Sequence, residues 1–388
     1  MSYLIFFYVL FVFSFPLSSY SRKMRVIKSY KIQQIYIYLF VIIIFLGFRG
    51  YVFTDWYWYW QYFEGTPSLN DCSLIELLES HSRNWEPGLL VCMSFVKIFT
   101  KSYEAFQVIN FIIDVCLFCV FLREFEESKL NVYLIVCFFL VYKGMAQEIN
   151  LLRNGKSILL FAISLKYIDK KQYKKYILLN FLGIVFHVSA FIYIAILPFL
   201  RLNIRKWMFF CIVIVGMGVY VLNLPILSMI LNLSLFGKLG RLAYLVTAHS
   251  GGAVREVSFG FLERTLSAGV ILVYYDKILK KNTIYRKYIN LFVLYMLVTF
   301  FCSEIAVVYD RFSALFCISY WVLYPTVYSL LPREKKCLFL TLFFLYGSLV
   351  MYEYDRLPNQ RYDNLLLPHA SMNERIEANK QVQKMFVK

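Results

Sequence analysis

The stretch "IQQIYIYLFVIIIFLGF", residues 32–48, runs directly into "RGYVFTDWYWYWQYFEG", residues 49–65. The first half carries no charge and is close to the roughly 20 residues a helix needs to cross hydrocarbon. The second half gathers tryptophans and tyrosines around one aspartate, Asp55, and such aromatics favour the headgroup level of a bilayer. An apolar run ending in an aromatic belt marks a helix that leaves a membrane. Two readings of the aromatic segment compete: an interface anchor, or a platform that stacks on a ligand.

The rest of the chain repeats the first half of this pattern. Hydrophobic residues make up 60% of the sequence and charged residues 17%, with a mean hydropathy of +0.60, well outside the soluble range. Backbone groups in lipid must be satisfied within their own segment, so the apolar runs predict helices. A closed barrel needs segments of about ten residues with alternating polarity, and that pattern is absent. The expected fold is an all-α polytopic integral membrane protein, with roughly 11–13 membrane helices or half-spans between residues 4 and 352. Residues 1–352 form one transmembrane domain, with outer loops at 49–86 and 238–260, and 353–388 form a polar C-terminal tail. The first run starts at Met1 with no basic segment before it and no small-residue cleavage site after it, so it reads as a retained helix.

Lysine and arginine set the orientation. The clusters at 21–31, 169–176, 276–287 and 332–336 belong on the cytoplasmic face, which puts 49–86, 143–154, 238–260, 303–311 and the tail outside. Parity then requires the short runs 87–99 and 224–237 to be re-entrant or half-spans. The net charge of +17 is topology. Its basic residues form no stripe with interleaved aromatics, so nucleic acid is excluded as a partner. Most cysteines sit within apolar runs as small hydrophobes. The pair Cys116 and Cys119 has no second pair or histidine at metal-ligand spacing. Phosphate-loop, dinucleotide and zinc-protease motifs are missing, and neither a cofactor nor a metal is expected.

What remains is a set of ionisable residues near membrane ends, where such groups are costly and point to function. "YKGMAQEINLLRNGKSILLFAISL", 142–165, places Arg153 and Asn154 at an outer turn, although an isolated arginine there also reads as one that snorkels. "CSEIAVVYDRFSALFCISYW", 302–321, places Asp310 and Arg311 at a second outer junction. "GIVFHVSAFIYIAILPFL", 183–200, carries His187 midway along an expected helix over 176–199. On that continuous helix Ser189 lies nearly opposite His187 and is not its partner. "HSRNWEPGLLVCMSFVKIF", 81–99, puts Glu86 just before Pro87, a favoured first helical residue, so that Glu86 suits the helix N-terminus. Simple capping would also explain it.

The order of these motifs, an outer "RG…D…Y…F" segment, "EPG", "LLRNGKSILLFAISL", "KKY…FHVSA" and "YDRF", resembles the EpsG/Wzy-type bacterial polysaccharide polymerases from Arg49 to about Tyr362. That family usually has glutamine after its arginine where this chain has Asn154. The resemblance implies a multi-pass protein of the bacterial inner membrane that polymerises oligosaccharide repeat units of an O-antigen or exopolysaccharide at the outer face. Donor and acceptor would both be linked to undecaprenyl diphosphate. Membrane lipids and a chain-length regulator are its further expected partners. A diphosphate leaving group gains charge as the glycosidic bond breaks, and guanidinium groups suit it because they stay charged and bind phosphate oxygens bidentately. Arg153 and Arg311 rank first for this task, followed by Arg49 and Arg255, with Asn154 and Asp310 beside them. The acceptor hydroxyl must lose a proton, and Asp55, Glu86 and His187 are the candidate catalytic groups, with His249 a weaker one. The residues leave that choice open. A glycan ligase, a flippase and a membrane O-acyltransferase stand as alternatives.

On a helix, Trp56, Tyr59, Trp60 and Phe63 share one face. That face is expected to anchor the loop in the outer leaflet while Asp55 meets a sugar. "RYDNLLLP", 361–368, is expected to fold against the outer mouth, and the residues after about 370 read as a disordered tail.

Overall fold

Apolar segments that must satisfy their own backbone become helices, and helix dominates the computed structural model, which describes residues 2–23, 28–80, 86–125, 130–231 and 257–386. Among the described residues the only ladder-type pairing outside helices is an isolated antiparallel bridge between Arg49 and Asn364. The protein is an all-α, multi-pass membrane protein. Among the described residues four helices are long and apolar enough to cross a bilayer, Tyr103–Phe125, Val132–Asn150, Thr283–Phe301 and Arg333–Arg356, or five if the bent pair Val308–Phe316 and Ile318–Leu330 is one span. The other described apolar runs fall in helices that are shorter, broken or less apolar.

The chain divides into two compact units, one of Met1–Ala195 with Pro332–Lys388, the other of Ile196–Leu331. In the first, helices α1 (Tyr3–Lys23) and α2 (Lys28–Ile42) precede the aromatic helix α3 (Trp56–Gly65), α4 (Leu74–Ser80) and α5 (Pro87–Val96). Next come α6 (Tyr103–Leu122), α7 (Val132–Phe139), α8 (Met145–Asn150), α9 (Leu152–Ser164), α10 (Lys166–Asp169), α11 (Tyr173–Phe186) and α12 (Phe191–Ala195). The ten residues of α5 span about 15 Å, half a bilayer. Past its end, Lys97 Nζ donates to the carbonyls of Glu64 and Thr66 at 3.0 and 2.7 Å, so α5 is a short helix tied at that end to the segment after α3.

The expected helix over 176–199 is interrupted. α11 stops at Phe186, His187 is extended (φ −157°, ψ 125°), and a single 3-10 turn, Val188–Ala190, follows. The chain then turns back, because the Tyr176 hydroxyl near the start of α11 donates to the carbonyl of Tyr193, and Tyr193 stacks on Phe161 of α9 at 3.8 Å. His187 therefore sits at the tip of a helical hairpin. It is not midway along a continuous helix.

The second unit holds α13 (Leu197–Leu200), α14 (Lys206–Val221), α15 (Ile226–Leu231), α16 (Phe259–Lys281), α17 (Arg286–Phe301), α18 (Ala306–Phe316) and α19 (Ile318–Leu330). Asn290 Nδ2 gathers the carbonyls of Phe199, Leu200 and Leu202 at 2.9–3.1 Å, which ties the loop before α14 to the start of α17. In the run 224–237, α15 is the described helix. Residues 232–256 lie outside the described residues, and with them Arg255 and His249.

α20 (Arg333–Arg356) and α21 (Met372–Phe386) return the chain to the first unit. The expectation of a disordered end is corrected by α21, whose Met372 and Ile376 pack against the aromatic core of the loop. "RYDNLLLP" does fold against the loop: Gly50 N–H donates to Asp363 O at 3.0 Å, Phe53 N–H to Asn359 O at 2.7 Å and Leu365 N–H to Phe48 O at 2.7 Å. Arg375 and Asp363, both largely buried, pair at 2.9 Å and lock α21 to this segment. Phe53 has a φ of 68°, a conformation that costs a bulky side chain energy and persists only when its surroundings fix it. Its hydrogen bond to Asn359 does so, and the turn delivers Asp55 to the start of α3.

Candidate active site

The aromatic helix supplies one wall. Trp56, Tyr59 and Phe63 are buried among Tyr51, Leu89, Met93, Val96, Tyr103, Phe106 and Leu152. The face expected to anchor the loop in lipid is thus mostly covered by α5 and α6, and Trp58 is the aromatic left exposed. The helical wheel grouped these residues correctly; neighbouring helices, not a bilayer, cover them. Asp55 occupies the position before α3, yet its carboxylate makes no capping bond. It accepts from Thr54 Oγ1 at 2.9 Å, while its backbone N–H is held by Asn150 Oδ1 at 3.0 Å. Burial pushes the Tyr59 hydroxyl pKa up to about 12; Arg153 beside it pulls the other way and Asp55 adds to the rise. Tyr59 thus stands close to both groups.

The second wall is the start of α5. Glu86 holds extended backbone before Pro87, and its side chain makes no cap, so capping does not account for it. One carboxylate oxygen, Oε2, binds Arg153 Nη1 at 2.5 Å, and the other accepts from Val188 N–H at 3.4 Å. Side-chain exposures of 27% for Arg153 and 17% for Glu86 leave this pair within reach of a ligand. α5 can come this close because its second residue lacks a side chain: a Cβ on Gly88 would lie 2.8 Å from the Phe186 ring and 2.9 Å from the Val185 carbonyl oxygen.

The hairpin tip is the third wall. Its crossing with α9 is close at Gly183, where a Cβ would meet Ser157 Cα and Cβ at 3.6 Å. Asn154 Oδ1 accepts from Ser157 at 3.2 Å and lies 3.4 Å from the Ser189 hydroxyl, which in turn is 2.7 Å from His187 Nδ1. Ser189 is thus a partner of His187 after all, because the helix break brings round a residue that a continuous helix would point away.

Of the sequence-derived candidates, Asp55, Glu86, Arg153, Asn154 and His187 come together. Arg49 does not: it is buried, with Nη1 on the Leu46 carbonyl at 2.8 Å and Nη2 on that of Ile149 at 3.5 Å. An arginine just past a span can turn outward to solvent or inward to spare carbonyls, and this one turns inward. Asp310 and Arg311 lie on α18 of the second unit, both exposed. Two participants escaped sequence reading, Tyr59 and Ser189, and for Ser189 the only signal is the "HVS" triplet at the break.

The arginine at the start of α9, the "EPG" helix start and the "FHVSA" tip now stand as one constellation, and the EpsG family matches residues 32–366. The chain belongs to the EpsG family. Membership carries a role of the polysaccharide-polymerase kind in a membrane setting. No curated protein and no solved structure matches the chain. The matched region of this EpsG-family chain contains Glu86, Arg153 and His187, which its fold brings together.

Proposed function

We propose that the protein polymerises oligosaccharide repeat units carried on undecaprenyl diphosphate, at the outer face of the bacterial inner membrane. The observation that carries this reading is Arg153, part-exposed, held at the start of α9 by Glu86 and joined through it to Val188, the residue next to His187. In the transfer, the acceptor hydroxyl oxygen bonds to the donor's anomeric carbon as the bond from that carbon to the phosphate oxygen breaks. The hydroxyl proton passes to Asp55, and the electron pair leaves with the diphosphate.

Charge then builds on the leaving phosphate, where a fixed guanidinium stabilises it most. Both oxygens of Glu86 are engaged, one by Arg153 and one by Val188, so Glu86 is a positioning residue for the arginine. Asp55 keeps its carboxylate out of the helix cap and suits the general base. Activation resides in the diphosphate bond itself, so the step needs no nucleotide or metal.

Deleting the gene and displaying the surface glycan by size tests the reading. Loss of the long ladder with a single repeat unit still attached supports a polymerase. Long undecaprenyl-linked chains accumulating over an unmodified acceptor would make it a ligase, and an intact ladder would remove both.

A further inference from the structure

Histidine at such a site is ordinarily taken as a base, yet the hydrogen bonds around His187 oppose that. His187 caps the 3-10 turn that begins the return arm of the hairpin, and its ring accepts the backbone N–H of Ser189 on Nδ1 at 3.2 Å. A backbone amide can only donate, so Nδ1 must present a lone pair. The Ser189 hydroxyl, 2.7 Å from the same nitrogen and 3.4 Å from Asn154 Oδ1, gives its one proton to the nearer acceptor. The alternative needs a proton on Nδ1, pointed at the Ser189 N–H. With Nδ1 doubly engaged as acceptor, the neutral ring carries its hydrogen on Nε2. Imidazolium would set Nδ1–H against that amide and remove the cap.

We propose that His187 is a fixed neutral hydrogen-bond donor, its Nε2–H directed at an oxygen of the diphosphate, and that it takes no part in moving the acceptor's proton. Its neighbour Val188 donates to Glu86 Oε1 while Arg153 holds Oε2, so one carboxylate ties the backbone next to His187 to the guanidinium, and the two side chains can address one anion. Ser189 is a positioning residue that sets the tautomer through its backbone N–H and its hydroxyl, and it transfers no proton to substrate. The inference rests on the polymerase reading for the identity of the anion, but not for the tautomer.

Two isosteres separate donor from base. In His187→Gln the amide nitrogen takes the place of Nε2 as a donor with no basicity, whereas in His187→Asn the amide retains an acceptor where Nδ1 stood and places no donor at Nε2. The expectation in a reconstituted polymerisation assay is that Gln stays within about fivefold of wild type while Asn falls by about 10²-fold, the usual loss for one donor to a developing oxyanion. Equal, near-complete loss in both folded variants would restore the base, and equal, undiminished activity would reduce His187 to a cap. A second measurement is independent of turnover. The chain has four histidines, so ¹⁵N-histidine labelling of the full chain, assigned by the signal lost in His187→Gln, reads the tautomer directly. A hydrogen on Nε2, and a shift of that signal on adding inorganic pyrophosphate, are expected. A hydrogen on Nδ1, or no response to pyrophosphate, would overturn the proposal. If the glycan ladder survives gene deletion while the tautomer is as stated, it is the polymerase reading that has failed.

Discussion

Two ion pairs begin three residues apart on α9 and face different worlds. Arg153 pairs with Glu86 at 2.5 Å, and its side chain is 27% exposed; Lys156 pairs with Asp114 of α6 at 2.9 Å, and its side chain is 0% exposed. One turn of helix separates a charge that a ligand can reach from one that no ligand can. On the proposed function, the outer pair keeps an arginine part-exposed and able to exchange its partner for phosphate. The inner pair is wholly enclosed and has Glu148 for a further buried neighbour, so its charges answer to buried groups and not to solvent. On that reading, similar chemistry at two depths would serve binding in one case and cohesion in the other.

The contrast can be broken at either end. The largest effect is expected from Lys156→Met, which leaves Asp114 buried without its partner and costs about 3–5 kcal/mol. Little folded protein should survive detergent extraction and size-exclusion chromatography, and the double variant Lys156→Met with Asp114→Leu should recover much of it. Folded, fully active Lys156→Met would show that the inner pair is not cohesive. Asp55→Asn comes next in activity: the fold is kept and the polymerisation rate drops by about 10²–10⁴-fold, as for loss of a general base. An unchanged ladder would reduce Asp55 to a structural residue at the start of α3.

Arg153→Ala should lower the rate by about 10²–10³-fold at normal expression, with Arg153→Lys only a partial rescue because an ammonium lacks the bidentate fork. Glu86→Gln, which retains an oxygen for Val188 but weakens the hold on Arg153, should cost about tenfold, near 1.4 kcal/mol. The smallest change is expected at Arg311, which is exposed and has no ion pair among the described residues. Arg311→Ala should stay within about 0.5 kcal/mol in stability, as other open surface sites do, and should leave the ladder largely intact. A collapse equal to that of Arg153→Ala would mean that phosphate is held by both arginines.

Much of this was legible in the sequence, and the failures share a cause. Hydropathy and basic clusters give the membrane class, and local chemistry singles out Arg153, Glu86 and Asp55 because proline, aromatics and outer turns mark helix starts. Hydropathy is blind to a break within an apolar segment, so "GIVFHVSAF" reads as one helix although His187 ends it by capping the next turn. The Ser189 contact is lost with it. Arg49 and the face of α3 fail differently: the sequence tells which residues stand together, but only tertiary packing decides whether carbonyls, lipid or helices α5 and α6 cover them.

The seam between residues 48–53 and 359–365 also has a consequence in time. The Tyr362 hydroxyl binds the carbonyl of Phe45, 317 residues earlier, and Asn359 fixes the turn that aims Asp55. A ribosome finishes the first partner long before it reaches the second, so the early loop must wait, incomplete, until α20 has been made. Catalytic competence would then switch on only once residues 359–365 have joined that loop, and a nascent chain stalled before them would carry Arg153 and His187 yet have no assembled site.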